Sequence, residues 1–67
     1  MEDLIQQLVT QYLNNEITWH DIQDDVEVYV LKQDGKGGLP GIEVIRDRFN
    51  RANIILQEIE KRIYEGV

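Results

Sequence analysis

The apolar residues in the last third of the chain recur at alternating steps of three and four. Seven positions keep this spacing: Ile42, Ile45, Phe49, Ala52, Leu56, Ile59 and Ile63. Such a heptad repeat places its members along one side of a helix, the seam that one helix presents to another in near-parallel packing. Pro40 suits the first turn, where its missing amide hydrogen costs nothing, and Gly66 suits the end. The spacing predicts one helix over residues 40–65, about 39 Å long.

The amino-terminal residues 2–14 form a second amphipathic segment. Its apolar side chains follow steps of three and four: Leu4, Ile5, Leu8, Val9, Tyr12 and Leu13. This wide stripe predicts a helix with one buried side. Glu2 and Asp3 favour the amino end through the helix dipole. Asn14 and Asn15 predict where the helix ends, because asparagine tolerates the left-handed conformation.

The segment after Asn15 admits two interpretations. Thr18 followed by Asp21 predicts a capped helix start, and the apolar residues continue at helical spacing: Trp19, Ile22, Val26 and Tyr29. Residues 26–32, "VEVYVLK", also alternate and are rich in β-branched side chains, which is typical of a strand, with "IEVI" at 42–45 as a hairpin partner. We favour a helix to about Gln33 because the cap and the spacing agree, while residues 26–31 stay open between helix and strand.

Together these segments predict an all-α fold, a small three-helix bundle with two short helices and one long carboxy-terminal helix, forming a single domain over residues 1–67. A chain of this length buries only about 60% of its unfolded surface. Domains this small usually gain stability from disulfides, a metal or oligomerisation. The chain has no cysteine, which excludes disulfides and thiolate metal sites. Self-association is the reinforcement that remains open.

We expect this self-association to be a homodimer formed through the long helix, which outreaches the roughly 24 Å of the second helix. Ile54 and Ile55 widen the apolar stripe in the far half of the long helix. The predicted oligomer interface comprises Ile45, Phe49, Ala52, Ile55, Leu56, Ile59 and Ile63.

Four of the five glycines lie in "QDGKGGLPG", residues 33–41. A phosphate-binding loop uses glycines so that backbone amides can approach an anion at a helix amino terminus. The fingerprints do not match, because Lys36 is followed by Gly37 instead of Ser or Thr, and Pro40 occupies the last glycine position of the dinucleotide motif. The stretch therefore predicts a pliable turn between two helices. An anion site remains the alternative, with candidate residues Lys36, Arg46, Arg48 and Arg51.

The formal net charge is −6, and residues 1–31 contain seven acidic residues without lysine or arginine. A negative surface repels nucleic acids and anionic membranes at long range, so we do not expect either as a partner. The predicted partner-binding face on the second helix comprises Asp21, Asp24, Asp25 and Glu27. The simpler interpretation of these acids is a solvated helix surface, in part paired with the arginines of the long helix.

Several chemistries are excluded or weakly supported by the residues present. Without serine or cysteine the chain cannot form their nucleophilic triads. His20 and Asp24 offer only two metal ligands. We therefore expect no enzymatic activity, no cofactor and no metal. The longest apolar run, residues 28–31, is too short to cross a bilayer, and residues 1–15 lack the basic residues of a signal peptide. These features favour a cytoplasmic location.

The resulting hypothesis is a non-catalytic protein–protein interaction module, a homo-oligomeric regulator or inhibitor of a larger intracellular protein that uses an acidic helical face. One alternative is a binder of small anionic ligands such as nucleotides, using the glycine-rich loop and the arginines. A weak nucleic-acid-binding regulator is another.

Overall fold

The computed structural model describes residues 2–34 and 41–66, and the regular structure in these residues is helical throughout. The helices are α1 (Glu2–Leu13), α2 (Trp19–Asp34) and α3 (Ile42–Gly66), and α3 packs against both α1 and α2. The predicted all-α fold with one long final helix is confirmed. Pro40 and most of the predicted turn over residues 33–41 lie outside the described ranges.

The strand alternative for residues 26–32 is wrong, because they belong to α2. Val26 and Val30 are both buried and lie four residues apart, one turn of a helix, together with Ile22 one turn earlier. These three residues occupy one side of α2, so helical burial of every fourth side chain outweighs the preference of β-branched residues for strands.

The end of α1 is fixed by a left-handed asparagine. Asn15 has a φ of 62°, and its amide donates to the Tyr12 carbonyl at 3.0 Å. The Glu16 amide donates to the Gln11 carbonyl at 2.9 Å. These two bonds constitute a Schellman motif, which satisfies carbonyls that the last turn would otherwise leave unpaired. The prediction that asparagine ends this helix is confirmed.

The start of α2 is fixed three residues later by a reciprocal cap. The Thr18 amide donates to Asp21 Oδ2 at 3.0 Å, and the Asp21 amide donates to Thr18 Oγ1 at 3.2 Å. The predicted capping arrangement is thereby confirmed. The pKa of Asp21 is lowered below its ordinary value, mainly by the hydrogen bond from the Thr18 amide and next by the hydrogen bond with the Thr18 hydroxyl. The charge of nearby His20 lowers this pKa as well.

Helix α3 is the long axis of the molecule. The Gly41 carbonyl accepts from the amides of Val44 at 3.1 Å and Ile45 at 3.2 Å, so Gly41 lies at the helix start. Twenty-five residues at 1.5 Å each extend about 38 Å. The longest dimension of the molecule is 40 Å, so α3 runs nearly its full length.

The core is apolar and draws on all three helices. Its buried members are Ile5, Leu8, Ile22, Val26, Val30, Ala52, Ile55 and Ile59. The buried residues of α3 are Ala52, Ile55 and Ile59, whereas Leu56 and Ile63 are half-buried. The predicted seam ran through Leu56, with Ile55 only widening the stripe. The set of buried residues differs from the predicted seam because α3 packs against two helices at once. Contact with two helices requires a wider apolar side of α3 than contact with one.

Ion pairs on the surface reinforce α3 and attach it to α1. Two pairs on α3 join residues four apart, Arg51 Nε with Asp47 Oδ2 at 3.0 Å and Arg62 Nε with Glu58 Oε1 at 3.2 Å. Arg62 Nη2 also donates to both carboxylate oxygens of Glu2. Its distance to Glu2 Oε2 is 2.8 Å. The hydrogen bond to Glu2 raises the pKa of Arg62 above its ordinary value.

Replacing Ile59 tests the core of α3. Ile59 is 0% exposed and Ile54, on the same helix, is 64% exposed. We expect Ile59→Val to lower the free energy of unfolding by about 1 kcal/mol, because it leaves a methyl-sized void. Ile54→Val should change that free energy by less than about 0.5 kcal/mol. Urea denaturation followed by circular dichroism measures both, and equal effects would contradict the placement of Ile59.

Replacing Asp21 with asparagine tests the charged cap. A carboxylate whose pKa is lowered by folding stabilises the folded chain above its unfolded pKa, and this contribution disappears as the pH falls through its folded pKa. We therefore expect wild type to be more stable than Asp21→Asn at pH 7, with the difference disappearing below about pH 4. Thermal unfolding from pH 7 to pH 2 measures the difference, with Asp24→Asn as the control. A difference that does not change with pH would rule out the charge effect.

Candidate functional site

An apolar groove lies between the second half of α2 and the first half of α3. It has a volume of about 240 Å³ and is lined by Glu27, Val30, Leu31, Ile45, Arg48, Phe49 and Ala52. Val30 and Ala52 are core residues, so they form its base. Leu31 is 52% exposed and Phe49 60% exposed, and they form apolar walls. Large apolar side chains that line a groove and remain in water are typical of a binding surface.

The groove is open because α1 covers only one half of α3. Glu2, at the start of α1, contacts Arg62, and Leu13, at its end, lies beside Gly66. Helix α1 has 12 residues and α3 has 25. About half of α3 therefore extends beyond α1 in the direction of Ile42. Along that half, α2 is the neighbour of α3 in the described part of the chain.

Three exposed apolar residues of this half of α3 belong to the heptad repeat. Ile42, Ile45 and Phe49 are three and four residues apart and are all exposed. On α2, Val28 and Leu31 are also exposed apolar residues, and Leu31 lines the groove. The sequence reasoning did not select Leu31 as an interface residue. Leu31 lies three residues after Val28, and the core side of α2 is formed by other residues. Two further apolar residues at this spacing are the signal in the sequence that identifies Leu31 as a candidate surface residue.

The predicted oligomer interface is divided by the structure into three groups. Ala52, Ile55 and Ile59 are buried in the core of the chain itself. Leu56 and Ile63 are half-buried and pack against that core. Ile45 and Phe49 line the groove and are exposed. The interface as a whole stays a prediction, and in this structure its exposed members are the two groove residues.

The predicted acidic residues are all on the surface of α2. Exposed side chains are found at Asp21, Asp24, Asp25 and Glu27. The opposite side of the helix carries the buried Ile22 and Val26. Asp21 is occupied by the helix cap, and Glu27 lies at the groove. The acidic face therefore adjoins the apolar groove along α2.

The predicted anion-binding residues are placed differently from one another. Arg48 is half-buried and lines the groove, whereas Arg46 is exposed. Arg51 is half-buried and pairs with Asp47. Lys36 lies outside the described residues. The anion site stays a prediction, and the geometry gives it no defined pocket in residues 2–34 and 41–66.

Other chemistry in the described ranges is sparse. His20 is exposed at the start of α2, and the described residues contain no group of three or more potential metal ligands. None of the helices in these ranges has the length and apolar character needed to span a bilayer. No protein-family model, curated protein or solved structure matches the chain. The α2–α3 groove is the surface from which we infer a function.

Proposed function

We propose that the protein is a non-catalytic interaction module that forms a homodimer through the α2–α3 groove and regulates or inhibits a larger protein through its acidic face. The observation that supports this most directly is the pair of exposed residues Leu31 and Phe49 beside a groove with an apolar base. Burying such side chains is favourable by about 25 cal/mol for each Å² of apolar area.

The charges at the groove favour a second copy of the chain as its occupant. Glu27 and Arg48 have opposite charges and line the same groove. In a two-fold dimer, contacts occur in reciprocal pairs. Glu27 of each copy would thus meet Arg48 of the other, in addition to the interaction that Arg48 makes within its own chain, while Phe49 of each copy enters the opposite groove. The surface is complementary to itself in both charge and apolar character.

The dimensions of the molecule suit this arrangement. A standard interface buries about 800 Å² per partner, roughly a sixth of the 5097 Å² surface of this chain. The exposed residues Ile42, Ile45 and Phe49 supply a heptad line for near-parallel packing of two α3 helices. Dimerisation would cover the half of α3 that α1 does not reach.

The regulatory part of the proposal is supported by the exposed acids of α2. Asp24 and Asp25 are on the solvent side, and the chain carries a net charge of −6. Complementary charge accelerates association with a basic protein surface and favours the correct partner. By covering such a surface, the chain would modulate its partner without any chemical step.

Replacing Phe49 with aspartate tests the dimer. We expect wild type to sediment at about twice the chain mass of 7.9 kDa and Phe49→Asp to sediment as a monomer with unchanged helical circular dichroism, because burying an unpaired charge costs several kcal/mol. Ile54→Asp, an exposed isoleucine of the same helix outside the groove, should remain dimeric. A wild-type chain that sediments as a monomer from 10 to about 500 μM, far above the Kd of a stable dimer, would refute the proposal.

Exchanging the groove charges tests the two-fold geometry. Glu27→Arg places two positive charges at each groove, and Arg48→Glu places two negative charges there. We expect each variant alone to dimerise weakly because like charges then face each other. An equimolar mixture should form heterodimers, since both cross-interface pairs are restored. Native mass spectrometry distinguishes the species, and a mixture without heterodimers would contradict the reciprocal pairing.

A further inference from the structure

A second concave surface lies at the opposite end of α3 from the groove. It has a volume of about 320 Å³ and is lined by Tyr12, Trp19, Glu60, Ile63 and Tyr64. Each of the three helices contributes to it. The combination of three aromatic side chains and one carboxylate differs from the apolar groove between α2 and α3 and indicates a different ligand.

The two caps between α1 and α2 lie next to Tyr12 and Trp19 and fix the backbone there. The Tyr12 carbonyl belongs to the Schellman motif that ends α1, and Trp19 directly follows the capping residue Thr18. Tyr12 and Trp19 are half-buried and pack against the core. Tyr64 closes the surface from α3 and is 73% exposed. One wall of the surface is therefore fixed, and the other is accessible to a ligand.

We propose that this pocket binds an organic cation, specifically the ammonium or guanidinium group of a lysine or arginine side chain on a partner protein. The faces of aromatic rings carry partial negative charge and attract a cation held within about 6 Å of the ring centre. Glu60 adds a full negative charge to the same surface. An anion would meet repulsion from both features.

The charge distribution around the pocket supports a cationic ligand. Tyr12 and Trp19 come from residues 1–31, which contain seven acids and no lysine or arginine. The basic residues next to Glu60 in sequence are Lys61, which is exposed, and Arg62, which pairs with Glu2 and Glu58. The acidic segment raises the local concentration of cations, because charge of one sign near a concave surface attracts the opposite sign.

The protein source of the cation rests on the proposed function, since a regulator with an acidic face would bind a basic partner surface. The pocket itself does not depend on dimerisation, because its lining residues differ from those of the groove. The monomeric Phe49→Asp variant should therefore bind cations as wild type does. A wild-type chain that binds cations but does not dimerise would contradict the dimer alone. A wild-type chain that dimerises but does not bind cations would contradict the cation site alone.

Trp19 is the only tryptophan, so its fluorescence reports directly on this pocket. We expect saturable fluorescence changes when the full chain is titrated with acetyl-lysine amide and with acetyl-arginine amide. Choline and its neutral isostere 3,3-dimethylbutanol serve as the second pair of ligands. A response to the cations that exceeds the response to the neutral alcohol supports the cation site. Equal responses to choline and the alcohol, or no response to any cation, would overturn it.

Two variants test the contributions of the aromatic ring and the carboxylate. Tyr64→Leu keeps an apolar side chain but removes the ring, and we expect it to weaken cation binding about two- to five-fold. Glu60→Gln should weaken cation binding and leave any response to the neutral alcohol unchanged. Glu43→Gln, an exposed acid near the other end of α3, is the matched control. If Glu60→Gln and Glu43→Gln have the same effect, the carboxylate has no specific role at this pocket and the assignment is wrong.

The ligand panel also identifies the source of the cation. Binding of the lysine or arginine amide at least as tight as that of choline supports a side chain of a partner protein. Binding of choline alone would overturn the partner assignment and indicate a small quaternary ammonium ligand.

Discussion

The architecture depends on a difference in length between helices that must cover one another. Helix α3 has 25 residues, whereas α1 has 12 and α2 has 16. Ile55 and Ile59 lie where both shorter helices meet α3, and there the core is closed. Towards Ile42, α1 is absent and apolar side chains stay in water. A small chain with a thin stability margin thus keeps an open apolar surface as a direct result of its helix lengths.

The second constraint is the short connection between α1 and α2. A left-handed asparagine ends one helix, and a threonine–aspartate cap begins the next within a few residues. The backbone groups at both helix ends are therefore satisfied locally. The same connection fixes Tyr12 and Trp19 beside the end of α3. One local device consequently determines both the course of the chain and the position of the aromatic pocket.

The two concave surfaces differ in chemistry and lie at opposite ends of α3. The groove presents apolar walls with one positive and one negative charge, the combination from which we propose a dimer. The pocket presents aromatic rings and a carboxylate in an acidic environment, which suits a basic group. The exposed acids of α2 extend along the helix that joins these surfaces. In the two proposals taken together, the groove assembles the protein, and the acidic face of α2 and the aromatic pocket contact its partner.

The sequence by itself determined the elements. Periodicity identified three helices, and Asn15 and the Thr18–Asp21 pair marked where α1 ends and α2 begins, because caps and helical spacing are local properties of the chain. It did not determine which apolar residues remain exposed. Phe49 and Ile59 occupy the same predicted seam, yet one is exposed and the other buried. Only the tertiary structure decided this, because burial depends on where the shorter helices lie along α3, and such long-range packing leaves no periodic signal in the sequence of α3 itself.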